Sequence, residues 1–290
     1  MILHKWEDKL TKIDSRVNHD QQTIDSFGQE WQKFDQNKLS DSEVKKLFNK
    51  YFSIFPWNKI TDSSVGFDMG CGSGRWAKIV APKVGHLNCI DPASEAIEVT
   101  KKALQANTNV TFLNESIDSV SIKENSQDFG YSLGVLHHIP DTQKALTTCV
   151  SLLKSKAPFL IYLYYNLDNR PLLFKLMWRC SEIFRSIISK LPNSLKPILT
   201  DVIAIFIYWP LSRFAKFISW IGLNPSSLPL SFYRDSSFYT LRTDSRDRFG
   251  TPLEQRFSKK EITEMMHSAG LEKVTFSDHE PYWVAVGFKK

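Results

Sequence analysis

Cysteine is scarce in this chain: four among 290 residues, Cys71, Cys89, Cys149 and Cys180, with no C-x-x-C pair and no histidine at metal-ligand spacing. That spacing argues against a disulfide scaffold and a structural zinc site; it points to reduced thiols used as small apolar fillers, with no metal expected. No block of Lys or Arg occurs, so the formal net charge of +6 lacks the clustered footprint of a nucleic-acid binder. No apolar run opens the chain: Met1 to Leu10 include Lys5, Glu7, Asp8 and Lys9. A signal peptide is therefore not expected, and the cytoplasm is the expected compartment. Internal repeats and low-complexity segments are lacking. The apolar run Val202 to Leu211 is followed by Arg213 and Lys216 and falls well short of the ~20 residues a membrane-crossing helix needs.

What is present is an ordinary folded composition, 42% hydrophobic and 23% charged. Between Val65 and Tyr164, short apolar runs alternate with helix-patterned stretches, the signature of consecutive βαβ units and a parallel sheet. Five strands are expected, at Val65 to Met69, His86 to Ile90, Val110 to Leu113, Phe129 to Leu133 and Phe159 to Tyr164. Helices are expected from about Arg75, Ser94 and Thr142, where apolar residues such as Ala96, Val99, Ala103 and Leu104 recur at three- and four-residue spacing. Later, Ser258-Lys-Lys-Glu261 reads as a capping box opening a helix that Gly270 stops. The runs Glu272 to Phe276 and Tyr282 to Phe288 then read as an antiparallel hairpin. The fold class is α/β: a doubly wound, seven-stranded sheet of five parallel strands and a C-terminal antiparallel hairpin.

Four segments follow from this pattern. Residues 1–60 form an N-terminal helical cover with an aromatic cluster at Phe27, Trp31 and Phe34. Residues 61–165 form a Rossmann-like cofactor-binding core. Residues 166–250 are a helical insertion after the fifth strand, punctuated by Pro192, Pro197, Pro210 and Pro225. Residues 251–290 complete the core.

The strongest local signal is Phe67-Asp-Met-Gly-Cys-Gly-Ser-Gly74, between the first strand and the first helix of the sheet. Its glycines let the backbone approach a nucleotide-like cofactor closely. A dinucleotide fingerprint needs G-x-G-x-x-G, and Arg75 occupies the position of its third glycine. Asp91, at the end of the second strand and followed by Pro92, is placed to accept hydrogen bonds from both hydroxyls of a ribose.

With these residues in view, the stretch from Val65 to about Tyr164 resembles the class I S-adenosylmethionine-dependent methyltransferases in their small-molecule branch. The resemblance implies S-adenosyl-L-methionine as cofactor, with Asp68, Gly70, Cys71, Gly72 and Gly74 around its methionine part and Asp91 and Pro92 at its ribose. The family's Gly-Asp-Ala after the third strand is replaced by Asn114-Glu115-Ser116, so Glu115 and Ser116 are implied as adenine contacts. Asp128-Phe-Gly-Tyr-Ser-Leu-Gly-Val-Leu-His-His-Ile-Pro-Asp141 resembles the family's fourth strand and exit, placing Ser132, Leu133 and Gly134 beside the sulfonium. The Asn/Asp-Pro-Pro-Tyr type of signature that holds a flipped base is missing there, which argues against nucleic-acid methylation.

His137 and His138 are the candidates for a general base, His137 slightly ahead on resemblance, with pocket shaping as the alternative. The acceptor, a small or carrier-linked metabolite offering oxygen or nitrogen, is expected to meet the insertion and the strand ends. Candidate contacts there are Trp31, Tyr164, Tyr165, Asn166, Tyr233, Arg234, Tyr239, Arg242 and Arg256. The amphipathic helix around Leu172 to Leu191 is expected to pack its apolar stripe over the cofactor domain as a lid; interfacial membrane contact is the alternative. A non-catalytic cofactor-binding or interaction module at a membrane surface stands as the alternative function. The loose resemblance of the insertion is to methyltransferases of glycan and secondary-metabolite pathways.

Overall fold

The computed structural model describes residues 18–36, 39–192 and 194–290, so the charged opening Met1 to Leu10 lies outside the described residues. The N-terminal cover contains α1 (Gln21–Lys33) and α2 (Asp41–Tyr51). The core follows as β1 (Val65–Met69), α3 (Ala77–Val80), β2 (His86–Ile90), α4 (Ser94–Ala103), β3 (Val110–Leu113), β4 (Phe129–Leu133), α5 (Thr142–Leu152) and β5 (Pro158–Tyr162). The insertion contributes α6 (Leu172–Ile188), α7 (Lys196–Ile203), α8 (Trp209–Trp220) and α9 (Phe238–Gly250). The chain then closes with α10 (Lys259–Ser268), β6 (Leu271–Phe276) and β7 (Val284–Lys289).

The seven strands form one sheet in the order β3-β2-β1-β4-β5-β7-β6, parallel through β5, with β7 antiparallel to both β5 and β6. The order reverses between β1 and β4, so a crevice opens at the carboxyl ends of those strands, where such sheets bind ligands. Buried residues of α5 and α10, among them Leu146, Val150, Ile262 and Met266, pack with one face of the sheet. Those of α2, α3 and α4, including Phe48, Val80 and Ile97, pack with the other.

Local chemistry accounts for the helix ends. Asp20, Ser40, Asp141 and Ser237 each cap a helix by accepting a backbone N–H with the side chain. Ser258 and Glu261 form the expected reciprocal capping box, and Gly270 ends that helix with φ +95°.

The insertion differs from expectation in two ways. Pro210 does not break it: α7, a π-helical turn at Ala204–Tyr208 and α8 run on as one helix, Lys196–Trp220, of 25 residues. The wider turn sits just before the proline, whose ring nitrogen has no hydrogen to donate back into the preceding turn, and Pro197 lies harmlessly in the first turn of α7. The apolar run is thus longer than the sequence segment Val202 to Leu211. Second, the apolar stripe of α6 faces solvent rather than the core: Leu176, Phe184 and Ile187 are exposed at 56%, 62% and 58%. The side of α6 turned inward carries Arg185, Ile188 and Ser189, because Arg185 reaches Glu254 and the Thr251 carbonyl.

At the centre of the sheet, Gly66 on β1 faces Phe129 on β4, and Phe67 faces Gly130. A Cβ on either glycine would lie 2.3 Å from the opposing ring. We expect Gly130→Ala to destabilise the fold by about 1–3 kcal/mol through overpacking, read as a lower urea midpoint; an unchanged midpoint would show that the ring moves aside freely.

Candidate active site

The glycine loop is held mainly by its own neighbours. The N–H groups of Gly70 and Cys71 both donate to the Ile90 carbonyl, at 2.8 and 3.0 Å, and the Thr100 hydroxyl donates to the Gly72 carbonyl at 2.8 Å. Asp91 accepts from Gly72 N–H through Oδ2 and from Ala93 N–H through Oδ1, each at 3.0 Å. The amide donors expected to face a ligand are therefore largely consumed in shaping the loop. What the loop offers is close approach: Gly70, Gly72 and Gly74 all have positive φ, and a Cβ on Gly72 would come within 3.0 Å of the Trp31 indole. The indole reaches that point because α1 lies against α4 across the crevice. Its entry is pinned by Asn18, which exchanges two hydrogen bonds with the backbone of Asp141.

Beneath Trp31 lies a cavity of about 130 Å³, lined by Gly70, Cys71, Gly72, Asp91, Pro92, Glu115, Ser116, Leu133, Gly134 and His138, with Thr23, Ile24 and Phe27 of α1 above them. A carboxylate has about four lone-pair directions, and the loop takes two of Asp91's, leaving two for a vicinal diol. Burial pushes the Asp91 pKa up to about 6, with the two backbone N–H donors pulling it down. Met69, Pro92 and Ile117 supply apolar wall for a flat base. An anchored acid, a glycine surface with no room for side chains and an apolar slot fit S-adenosylmethionine. Glu115 lines this cavity while its carboxylate accepts from the Ser121 N–H and hydroxyl, both at 2.7 Å.

Three residues implied by the resemblance stand behind the loop and do not line the cavity. Asp68 is buried beside Tyr131, its partner in strand register, and burial pushes its pKa up to about 8, opposed chiefly by Tyr131. Ser132 donates its hydroxyl to the Met69 carbonyl at 2.9 Å, tying β4 to β1. Gly74 packs against Thr100. Their contribution is to the shape of the loop.

A second cavity, about 620 Å³, lies between the core, α1 and the insertion. Phe27, Trp31, Arg75, Trp76, Leu133 and Gly134 line both cavities, so the two meet at the end of β4. Among the expected acceptor contacts, Trp31, Tyr164, Tyr165, Tyr233 and Arg256 line this larger space. The other four do not. Asn166 is exposed and donates its backbone N–H to the Phe257 carbonyl. Arg234 turns to the Ser231 carbonyl and Asp235, and Tyr239 accepts from the Gln36 N–H and packs edge-on to Phe34. Arg242 makes a two-pronged ion pair with Asp201, at 2.9 and 2.6 Å. The polar side chains of the last three are committed to the scaffold.

The two histidines separate cleanly. His137 is fully buried, stacks on Tyr164 at 3.9 Å between ring centroids, and lines neither cavity. Burial holds it well below the usual histidine range, with His138 next in effect, so it is neutral and packs. His138 lines the smaller cavity. Its Nδ1 is 2.6 Å from the Leu253 carbonyl, which can only accept, so Nδ1 carries a hydrogen. Nε2 is buried, has no hydrogen-bond partner, and lies 3.7 Å from Asp247 Oδ1. The order expected from sequence, His137 ahead of His138, is reversed in placement.

Sequence reasoning missed several of the cavity's residues. Asp244 and Asp247, one helical turn apart on α9, both line it, the first accepting from the Tyr233 hydroxyl and the second from the Tyr164 hydroxyl. Burial raises both carboxyls, Asp244 to about 7. Glu30 on α1 is a third buried carboxyl, raised by burial and then by Asp247. Arg75 faces the cavity with no ion pair among the described residues, and the indole N–H of Trp178 has no acceptor. The i, i+3 spacing of Asp244 and Asp247 was the available signal. It was hidden in a stretch dense with charge.

Two outcomes follow. Asp91→Ala should weaken binding of S-adenosylmethionine and of its demethylated product by about 1.5–3 kcal/mol each; calorimetry showing parental affinity would remove Asp91 from the ribose site. Asp68→Asn tests the acid behind the loop. A carboxyl whose pKa is raised by folding loses stability as pH climbs from its unfolded value towards about 8. The variant's gain in melting temperature over the parent should therefore be larger at pH 9 than at pH 5. A pH-independent difference would contradict it.

Residues 67–161 match a family model described as a methyltransferase domain. Over 105 residues the chain is 29% identical to a ubiquinone biosynthesis O-methyltransferase of Vibrio campbellii, covering 36% of this chain and 43% of that protein. It thus spans less than half the length of that relative. Among solved structures, an S-adenosylmethionine-dependent methyltransferase from Thermotoga maritima is 13% identical over 91% of this chain and the whole of that one, with a TM-score of 0.46. The N-methyltransferase NodS of Bradyrhizobium japonicum, solved with S-adenosylhomocysteine, is 19% identical, with coverage of 55% and 78% and a TM-score of 0.43. Residues 67–161 of the chain are thus a methyltransferase domain.

Proposed function

We propose that this chain transfers a methyl group from S-adenosylmethionine to a hydroxyl oxygen of a small or carrier-linked metabolite held in the larger cavity. The observation that carries this reading is His138: it lines the smaller cavity, its Nδ1 is held by the Leu253 carbonyl, and its Nε2, without a hydrogen-bond partner, lies 3.7 Å from Asp247, which lines the larger one. When bound, S-adenosylmethionine supplies an electrophilic methyl on a sulfonium. Asp91 and the glycine loop hold the cofactor, and Leu133 and Gly134 form the wall shared with the acceptor. A hydroxyl becomes acidic as its oxygen gains the methyl, and Nε2 of His138 takes that proton. Asp247 stabilises the imidazolium so formed, and the Leu253 carbonyl keeps the ring in the productive tautomer. Tyr164 donates to Asp247 and keeps it oriented.

Trp31 and α1 cover the cofactor cavity and help exclude water. A nitrogen acceptor is the second reading, favoured by the three buried carboxyls Glu30, Asp244 and Asp247, which suit an amine-bearing ligand. Four unpaired cysteines, three of them buried, suit the cytoplasm as the compartment.

Hydroxylated and amine metabolites offered with S-adenosylmethionine, and read by the mass gain of one methyl group, test the assignment. On a hydroxyl acceptor, His138→Ala should lower kcat by about 10²-fold or more with cofactor affinity nearly unchanged. His137→Ala should act chiefly through stability. Parental turnover in His138→Ala across pH 6 to 9 would remove the base, and methylation confined to amines would establish the second reading.

A further inference from the structure

The outward surface of the insertion is unusual for a protein in water. On the long helix Lys196–Trp220, Ile198, Phe206, Phe214, Phe217 and Trp220 are exposed at 61%, 73%, 51%, 50% and 80%. On α6, Leu172 and Ile183 are exposed at 81% and 63%, beside the stripe already described. Apolar side chains this numerous on adjoining helices exceed the scatter seen on ordinary surfaces and mark a surface that is covered in use.

Three further observations say what covers it. The long helix has a second face, Thr200, Ala204, Tyr208, Ser212 and Ala215, that is buried at roughly one-turn intervals, and its α7 portion packs on α9. Although a 25-residue helix is about 37 Å long, one side is thus committed to the protein along most of its length. By length and composition the helix could span a membrane, but a side so committed fits a helix that lies in the plane of its partner surface. Second, residues 172–223 contain seven Lys or Arg and only two acids. Both acids are neutralised by α9, Glu182 by Arg248 and Asp201 by Arg242. Arg179 and Lys190 stand exposed among the apolar groups, and Lys216 beside them pairs with Asp235 at 3.5 Å. A second copy of this face would bring like charges together, whereas the anionic headgroups of a bilayer neutralise them. Third, the larger cavity has Phe174, Met177, Ile207 and Leu211 in its lining, and the last three are themselves exposed members of the same face. The cavity opens where the apolar surface is.

We propose that α6 and the Lys196–Trp220 helix dock in the plane of an anionic bilayer, so that the acceptor is an amphiphile whose apolar chain passes between α6 and α8 into the larger cavity. The acceptor half rests on the methyl-transfer reading above; the docking half is independent of it.

Flotation of the full chain with vesicles tests docking without any turnover. Vesicles of phosphatidylglycerol and phosphatidylcholine should carry the protein up the gradient, phosphatidylcholine alone should carry far less, and salt should weaken the difference. Phe206→Asp with Phe217→Asp should reduce the bound fraction about tenfold or more, while calorimetric binding of S-adenosylmethionine confirms that the variant is folded. A folded parent that floats with neither vesicle overturns docking, as does a lipid-free dimer that the same double variant dissolves. For the acceptor, dansyl-undecanoic acid is the probe: its emission should rise and shift to the blue with the parent, and Leu211→Trp should weaken its binding at least fivefold by filling the opening. No uptake by the parent overturns the acceptor class. Methylation of hydroxylated water-soluble metabolites at rates indifferent to vesicles would do the same while leaving the methyl-transfer reading intact.

Discussion

Helix α9 enters the middle of the molecule with polar side chains on nearly every side, and all but Arg246, whose Nε and Nη1 are buried without a hydrogen-bond partner, are largely paired off from water. Arg242 pairs with Asp201 on α7, and Arg248 with Glu182 on α6 and Glu254 before α10. Ser245 donates to the Thr200 carbonyl, Thr240 to Glu43 on α2, and Asp244 and Asp247 accept from Tyr233 and Tyr164. These bonds make α9 the piece to which the N-terminal cover, the insertion and the core are all fastened. They also fix Asp247 beside His138. Removing one partner would leave a buried charge uncompensated, so the position of the proposed base and the attachment of the insertion depend on the same set of interactions.

The chemistry follows from where the strands stop. Because the sheet reverses between β1 and β4, the loop after β1 and the exit from β4 share one crevice. Asp91 spends half of its acceptor capacity on the loop and keeps the rest for a ligand. Gly134, with φ +80°, follows β4 where the two cavities meet and lines both of them. The larger cavity is rimmed by aromatic groups and buried carboxyls, so it is both apolar and able to hold a proton.

The insertion joins the two halves of this description. Its inner side, through α6, α8 and the segment before α9, walls the larger cavity; its outer side is apolar and basic. A soluble lid would place its hydrophobic stripe inward and its charges outward. Here Arg185 and Lys196 are buried while Phe206 and Trp220 are exposed, the inversion on which the proposed docking to a bilayer rests.

The amino-acid sequence by itself determined the order of strands and helices, the glycine loop, the acid after β2, the capping box before α10 and the terminal hairpin. These are local matters: turn geometry, caps and the period of apolar residues are set by neighbours within a few positions. Tertiary structure decided the rest. Periodicity shows that α6 has an apolar face but not whether protein, water or lipid meets it, and the structure turns that face outward. Adjacent histidines are equivalent in sequence, and only the packing of Tyr164 on one and the approach of Leu253 and Asp247 to the other tells them apart. Asp244 and Asp247 looked like solvated charges because the residues that bury them come from elsewhere in the chain. Burial and proton affinity depend on groups far apart in sequence, which is why that half of the site could be read only once the chain was folded.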